Sequence, residues 1–311
     1  MGLTDKIFDL FTDRIWTIDT SACPKGYAAL VRHIKVLRIT IDTFTQNRMG
    51  FQCVALSYFV TLAIIPLIAL IFAITGDLGL SDKISEILHR FFANSPEYID
   101  ILTTKANELL ESAKGGGLGL ASALTLIWAV LWMMFQVERV FNNVWGIRKI
   151  PRNVFKRFGF YLLVLGLTPF LILLFGTGIA YYTNLTNLIG LDLSEIRFLP
   201  KVLGYTGFYA VSVLTLSVMY KFIPAAKVKY RYALKSALIT AVFFVIFQYI
   251  YLETQMFVGR LNSVYGVIAA IPLFLMWLNL SWQIIILGAE LCYGYHNVDR
   301  YKVLEWDSEN K

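Results

Sequence analysis

Charge is scarce in this sequence. Only 16% of its 311 residues are Asp, Glu, Lys or Arg, where a soluble domain carries about 25%. The deficit is concentrated in six long runs: 51–75, 118–135, 159–182, 202–220, 236–252 and 267–291. The first five contain no Lys, Arg, Asp or Glu, and the sixth contains only Glu290, at its end. A helix needs roughly 20 apolar residues to cross a bilayer core about 30 Å thick. The runs therefore predict six transmembrane helices and exclude an ordinary soluble domain.

Other absences remove classes of chemistry. The three cysteines, Cys23, Cys53 and Cys292, show no CxxC spacing. On the topology derived below all three fall at or near the cytoplasmic side, where thiols stay reduced, so no structural disulfide is expected. The three histidines, His33, His89 and His296, fall in segments on opposite sides of the membrane and cannot converge on one metal. There is no HExxH, HxHxDH, P-loop or GxSxG, and acids never pair inside a run. A metal-dependent nuclease or protease lacks its parts, and no cofactor, metal or ATP site is expected. Residues 1–20 lack the apolar core of a signal peptide, with Asp5, Asp9 and Asp13 interrupting them. The first span is therefore expected to direct insertion as well.

The charges that remain carry the topology. Segment 1–50 has seven Lys and Arg, 136–158 has six and 221–235 has five, while 76–117 sets four against seven acids. Basic residues accumulate on the cytoplasmic side of a membrane. With six spans, both termini then lie in the cytoplasm, although the tail after 291 is nearly balanced in charge. The net charge of +7 is explained by these inner loops and by anionic lipid head groups, so no nucleic-acid partner is expected. The organisation predicted is cytoplasmic amphipathic helices over 1–50, a membrane domain over 51–295 and a tail over 296–311.

Outside the spans, amphipathic periodicity recurs. Thr4 can cap a first short helix with Ile7, Phe8, Phe11 and Ile15 on one face. A second helix is predicted over 26–48, with Leu30, Ile34, Leu37, Ile41 and Phe44 as its apolar stripe and Arg32, Lys35 and Arg38 on other faces. It suits either the surface of the inner leaflet or the underside of the bundle. The first outer loop, 76–117, is too long to be structureless. Helices over 80–92 and 96–113 are predicted to form a hairpin there. Ile84, Ile87, Leu88 and Phe91 line one, and Tyr98, Leu102, Leu109 and Leu110 line the other.

Polar residues at membrane depth supply the candidate site. Ser57 and Thr61 share a face of the first span, with Tyr58 beside them and Pro66 further on. Asn279 and Gln283 share a face of the sixth, two turns after Pro272, and Pro169 interrupts the third. Polar side chains in lipid turn inward, to bind helices together or to line a cavity, and each proline frees a carbonyl that must be satisfied internally. At the inner boundary Glu138, Arg139, Asn142 and Asn143 follow the second span and Glu290 closes the sixth. Arg139 is placed to pair with either acid, or these are solvated helix ends. No acid lies in mid-membrane to suggest a proton relay.

Four blocks carry a family resemblance: SYFVTLAIIPLIAL (57–70), WAVLWMMFQVERVFNNVWGI (128–147), MYKFIPAAKVKYRYAL (219–234) and VYGVIAAIPLFLMWLNLSWQIIILGAELC (264–292). Their order and spacing resemble the BrkB/YihY family of bacterial inner-membrane proteins, from about residue 49 to 295. Ala55, Tyr58 and Pro66 fill the first block's pattern. Pro224 is the fourth-loop proline, and Tyr265–Gly266 with Gly288–Ala289–Glu290 fill the last block. Glu138–Arg139 departs from it, since many members carry a less charged pair. The resemblance implies a cytoplasmic-membrane location and an association with envelope lipid handling. The family's former label, ribonuclease BN, finds no catalytic support in these residues.

The expectation is thus an all-α integral membrane protein that is not an enzyme. Its leading function is transport or leaflet translocation of a lipid or other amphiphile, with membrane lipids as partners and an anionic lipid or envelope glycolipid as substrate. Ser57, Tyr58, Thr61, Pro66, Asn279 and Gln283 would line the path. Arg139, Arg148, Lys149, Lys227 and Lys229 would attract the head group. The alternatives are a non-catalytic scaffold or regulator of envelope biogenesis and, third, a lipid-modifying enzyme built on interfacial acids.

Overall fold

The computed structural model describes residues 24–76, 84–86, 89, 96–114, 116–147, 159, 161, 199–259 and 263–299. Among them the regular structure is helical: α1 (Lys25–Gln46), α2 (Met49–Gly76), α3 (Pro96–Lys114), α4 (Gly116–Val144), α5 (Leu199–Phe222), α6 (Tyr230–Gly259) and α7 (Ser263–Asn297). Four stretches are long and apolar enough to cross a membrane: Met49–Ala73, Leu124–Val144, Tyr230–Thr254 and Pro272–Asn297. The chain is a multi-pass membrane protein. The predicted span 202–220 falls within the 24-residue α5. The predicted span 159–182, the helix around Thr4, and most of the first hairpin helix lie outside the described residues.

The apolar runs understate the helices. At about 1.5 Å per residue the 35-residue α7 is about 52 Å long, well beyond a bilayer core. Pro66 and Pro272 both sit inside continuous helices, so the chain tolerates the loss of each proline's amide donor without breaking. The largest difference from expectation is in α4. Its helix continues past residue 135 through Glu138, Asn142 and Asn143 to Val144. These side chains are therefore not frayed ends in solvent.

α7 is the central element, packing against α1, α2, α4, α5 and α6. Around its second half lies a core of Met49, Cys53 and Leu56 from α2, Phe141 and Val144 from α4, Tyr220 from α5, and Ala233, Ala237 and Ala241 from α6. Cys53 and Cys292 are buried there as free thiols. A second cluster, at the far end of α2 and α4, joins Ala69, Ile71, Phe72 and Leu126 to Ala106 of α3. α3 thus packs as the amphipathic helix expected, its buried face centred on Ala106 with Leu109 and Leu110 against it. Outward faces stay apolar, with Phe51, Tyr58, Leu62 and Trp128 all exposed, as a lipid-facing surface requires.

α1 runs antiparallel beside the end of α7: Arg32 pairs with Asp299 at 2.9 Å, and Thr43 reaches Glu290. The face it buries is not the predicted stripe. Val31, Val36, Ile39, Thr40 and Thr43 are buried, whereas Leu30, Leu37 and Ile41 are exposed. The helix carries apolar residues on two faces, and periodicity alone cannot say which one meets protein. This end-to-side packing, against Leu291, Tyr295 and Val298, is the underside-of-the-bundle arrangement rather than a helix free on a surface.

α4 stops in a left-handed turn. Gly146, at φ 64°, donates its N–H to Asn143 O at 2.9 Å, and Ile147 donates to Asn142 O at 2.9 Å. This is a Schellman end, which favours glycine. A Cβ at Gly146 would meet nothing within 4 Å, so Gly146→Ala tests the backbone alone. It is expected to cost about 1–2 kcal/mol, read as a drop of several degrees in the thermal midpoint in detergent. An unchanged midpoint would contradict the turn.

Candidate functional site

The spacing of Asn279, Gln283 and Glu290, four and then seven residues, places them on one face of α7. They span about 16 Å along the axis. Gln283 Nε2 donates to Asn279 Oδ1 at 2.8 Å. That leaves Asn279 Nδ2, which is buried and has no hydrogen-bond partner among the described residues. Nearby, Trp277 Nε1 donates to Gln248 Oε1 at 2.8 Å across the α6–α7 seam. Gln248 Nε2 and Ser281 Oγ are buried without partners as well. Trp277 also stacks on Tyr251, with centroids 5.3 Å apart. A buried amide without a partner costs a few kcal/mol, and several share one stretch of this helix.

Glu290 lies at the α1 end of the same face and is 0% exposed. Its Oε2 is 2.7 Å from Thr43 Oγ1, the Asn47 side chain approaches the carboxyl, and Oε1 is unpartnered. One turn on, a Cβ at Gly294 would press on Val36 and Thr40 of α1 at 3.1–3.4 Å. On the opposite face of α7, Gly288 is where α5 and α6 come closest. Tyr220 donates its hydroxyl to Ile285 O at 3.0 Å, and the Ser236 hydroxyl donates to Gly288 O.

The other predicted residues separate into groups. Ser57 and Thr61 donate to carbonyls of their own helix, at Cys53 and Ser57, both at 2.8 Å. Although α2 packs on α7, no hydrogen bond joins this pair to Asn279 or Gln283 among the described residues. Tyr58 is 61% exposed and points away from the bundle, so it does not line an interior path. Pro66 is half-buried within α2. On α4, Glu138 is 2% exposed and accepts a hydrogen bond from the Tyr161 hydroxyl, whereas Arg139 faces outward. No ion pair joins Arg139 to Glu138 or Glu290 among the described residues: Arg139 is exposed, whereas both acids are buried. Asn142 is 1% exposed, and its Oδ1 accepts the Ala225 N–H at 2.7 Å, fastening the α5–α6 turn to α4. The Asn143 carbonyl accepts the Gly146 N–H at the helix end. Lys227 and Lys229 are exposed, and Arg148 and Lys149 lie outside the described residues.

Sequence reading missed a basic and aromatic group at the α1 end. Lys235 Nζ sits 4.3 Å over the Tyr295 ring, and Arg32 and Arg231 are near enough for their charges to act on it. His33 meets the same ring edge-on at 5.8 Å. The predicted span began at 236, so Lys235 read as loop; α6 begins at Tyr230.

The model of the virulence factor BrkB family matches residues 40–309, which contain every residue of this polar face and its α1 contacts from Thr40 onward. The chain belongs to the virulence factor BrkB family. The chain is also similar to curated UPF0761 membrane proteins. A UPF0761 membrane protein of Aggregatibacter aphrophilus is 28% identical over 250 residues, covering 80% of this chain and 87% of its own. One of Mannheimia succiniciproducens is 30% identical over 252 residues, covering 80% and 85%. One of Pseudomonas paraeruginosa is 29% identical over 271 residues, covering 83% and 62%. No solved structure matches this chain.

Proposed function

We propose that this BrkB-family protein carries an amphiphile, a lipid or envelope precursor, between the leaflets of the bacterial cytoplasmic membrane. The single observation behind this reading is the set of buried polar atoms without hydrogen-bond partners among the described residues, at the α6–α7 seam and along α7: Gln248 Nε2, Asn279 Nδ2, Ser281 Oγ and Glu290 Oε1. Within a bilayer no water is at hand to satisfy such groups. A packed helix has no reason to retain several of them unless a polar guest meets them in turn. A head group passing along α7 and its seam with α6 exchanges its hydration for these donors and acceptors while its tails stay in lipid.

On this reading six spans hold both termini in the cytoplasm, and the α1 end is the cytoplasmic end. Lys227 and Lys229, with Lys235, Arg231 and Arg32, then form a basic collar that concentrates anionic head groups at the inner surface. Ser57 and Thr61 hydrogen-bond to their own helix alone among the described residues and are left out of the path. No residue is assigned a catalytic role. The basic residues are accounted for by lipid, not nucleic acid.

Lipid scrambling in proteoliposomes tests the proposal. Purified protein is reconstituted with trace fluorescent phospholipid and the vesicles are treated with dithionite, which reaches only the outer leaflet. Quenching well beyond half of the signal is expected. Quenching that stops at half, with zwitterionic and anionic lipids alike, would reject translocation of phospholipid. The scaffold alternative draws on the Ser57 and Thr61 bonds, which describe a first span packed for structure alone.

A further inference from the structure

Glu290 enters the reading above only through its unpartnered Oε1. Its other oxygen carries more information. Thr43 Oγ1 lies 2.7 Å from Glu290 Oε2 and also 2.7 Å from the Ile39 carbonyl oxygen. If Glu290 is a carboxylate, both neighbours can only accept, and a hydroxyl has a single proton to give. One hydroxyl proton can serve both only as a weakened three-centre bond, whereas two full-strength contacts among three oxygens need two protons. Thr43 supplies one, the Ile39 carbonyl none, and the second belongs on Glu290. The hydrogen bonds then run from the Glu290 acid to Thr43 Oγ1, and from the Thr43 hydroxyl to Ile39 O.

The surroundings agree. An enclosed carboxylate is costly without a cation, and no Lys, Arg or His forms an ion pair with Glu290 among the described residues. On α1, Arg38 is engaged by Asp42 at 2.9 Å, and Thr43 and Asn47 are the groups facing the carboxyl. On α7 itself Tyr293 is close enough to feel the Glu290 charge, and the core packed round this end of α7 from α2, α4, α5 and α6 is apolar apart from the Cys53 and Cys292 thiols and the Tyr220 hydroxyl. None is a cation. With no accessible surface at all, Glu290 meets a head group only once α1 parts from α7, whereas a proton needs no such opening.

We infer that Glu290 is a proton-binding site, and that filling and emptying it couples a proton gradient to translocation. A proton entering from one side adds to the Oε2 of the carboxylate, and the same proton leaves to water on the other. No bond other than O–H forms or breaks. The coupling rests on the translocation reading; the proton site does not. Emptying removes the donor to Thr43 and leaves a bare charge between α1 and α7, which favours their separation.

Infrared spectroscopy of the full chain in phosphatidylethanolamine–phosphatidylglycerol vesicles at neutral pH reads the site without needing access to it. The carbonyl stretch of a protonated carboxylic acid is expected in the wild type and missing from Glu290→Gln. In Thr43→Val, which removes the acceptor but not the acid, the band should persist and move to higher frequency. Identical wild-type and Glu290→Gln spectra would overturn the proton site whatever the transport result. The second arm measures lipid translocation with and without an imposed pH gradient. A several-fold gradient effect in the wild type that is absent from Glu290→Gln supports coupling. Wild-type translocation indifferent to the gradient overturns the coupling alone. No wild-type translocation at all rejects both transport and coupling, while the spectrum still decides the proton site.

Discussion

Gly288→Val is expected to take apart the seam between α6 and α7. Even a single Cβ at position 288 would overlap the Tyr220 hydroxyl and Thr240, whose Cγ2 would lie 2.7 Å away. Neither neighbour can swing aside cheaply. Tyr220 is 1% exposed and its hydroxyl is bonded to Ile285 O at 3.0 Å, and the Thr240 hydroxyl donates to Ser236 O at 2.9 Å. Facing them, Ala233, Ala237 and Ala241 are fully buried, so the helices touch nearly backbone to backbone, as small residues permit in membranes. Overpacking costs about 1–3 kcal/mol, and forcing the helices apart forfeits the hydrogen bonds from Tyr220 to Ile285 O and from Ser236 to Gly288 O, worth about 1 kcal/mol each. A loss of about 3 kcal/mol or more is therefore expected, seen as a large drop in thermal midpoint by size-exclusion after heating in detergent. Gly288→Ala should fall in the same direction by less. Gly207→Ala is the control: its Cβ meets nothing within 4 Å, and alanine gains helix propensity there, so stability should hold or rise slightly. A Gly288→Val protein as stable as the wild type would mean the seam is looser than described.

The contrast between Gly288 and Glu290 shows where sequence reading reaches its limit. Hydropathy measures how well a segment suits lipid, and by that measure the span at Met49–Ala73 was legible to within a turn and those at Tyr230–Thr254 and Pro272–Asn297 to within about two turns. It is silent about which polar residues are enclosed by protein. Glu138 and Asn142 looked like the end of a span because they interrupt an apolar run. They are instead buried in the middle of helical packing, held by Tyr161 and the Ala225 amide. Glu290 likewise read as a boundary charge because it is the last residue but one of its run. Only α1, whose register against α7 is a tertiary fact, brings Thr43 beneath it. The stripe on α1 failed for a related reason. Val31, Val36 and Ile39 form one apolar face and Leu30, Leu37 and Ile41 another, and lipid and protein accept both equally. Asn279 and Gln283 were legible as a pair because their spacing of four is local. That Ser57 and Thr61 would turn back on their own carbonyls was not, since hydroxyls in helices can do so or reach across with similar ease.

The double substitution Asn279→Leu with Gln283→Leu is expected to separate stability from function in opposite directions. Each single change should destabilise. Without Asn279, Gln283 Nε2 loses its acceptor at 2.8 Å; without Gln283, Asn279 Oδ1 loses its donor and Nδ2 still has none. A buried polar group stranded in this way costs about 1–3 kcal/mol. The double change strands nothing on this face. It replaces both amides by apolar groups of similar bulk, so its stability should equal or exceed that of the wild type. The coupling between the two sites should be about 1–3 kcal/mol, in the range seen for residues in contact. Translocation should respond otherwise. A head group crossing this face would meet a leucine surface in place of two amides, and losing even one hydrogen bond to a charged group, about 1.5–3 kcal/mol, slows passage roughly tenfold or more. Thermal midpoints of the four proteins, measured beside dithionite quenching rates in matched vesicles, decide the matter. A double variant that is as stable as the wild type and equally fast would show that the unpartnered polar face of α7 is not the path. A stable but slow one would show why the chain keeps these orphaned groups at a cost to its own folding.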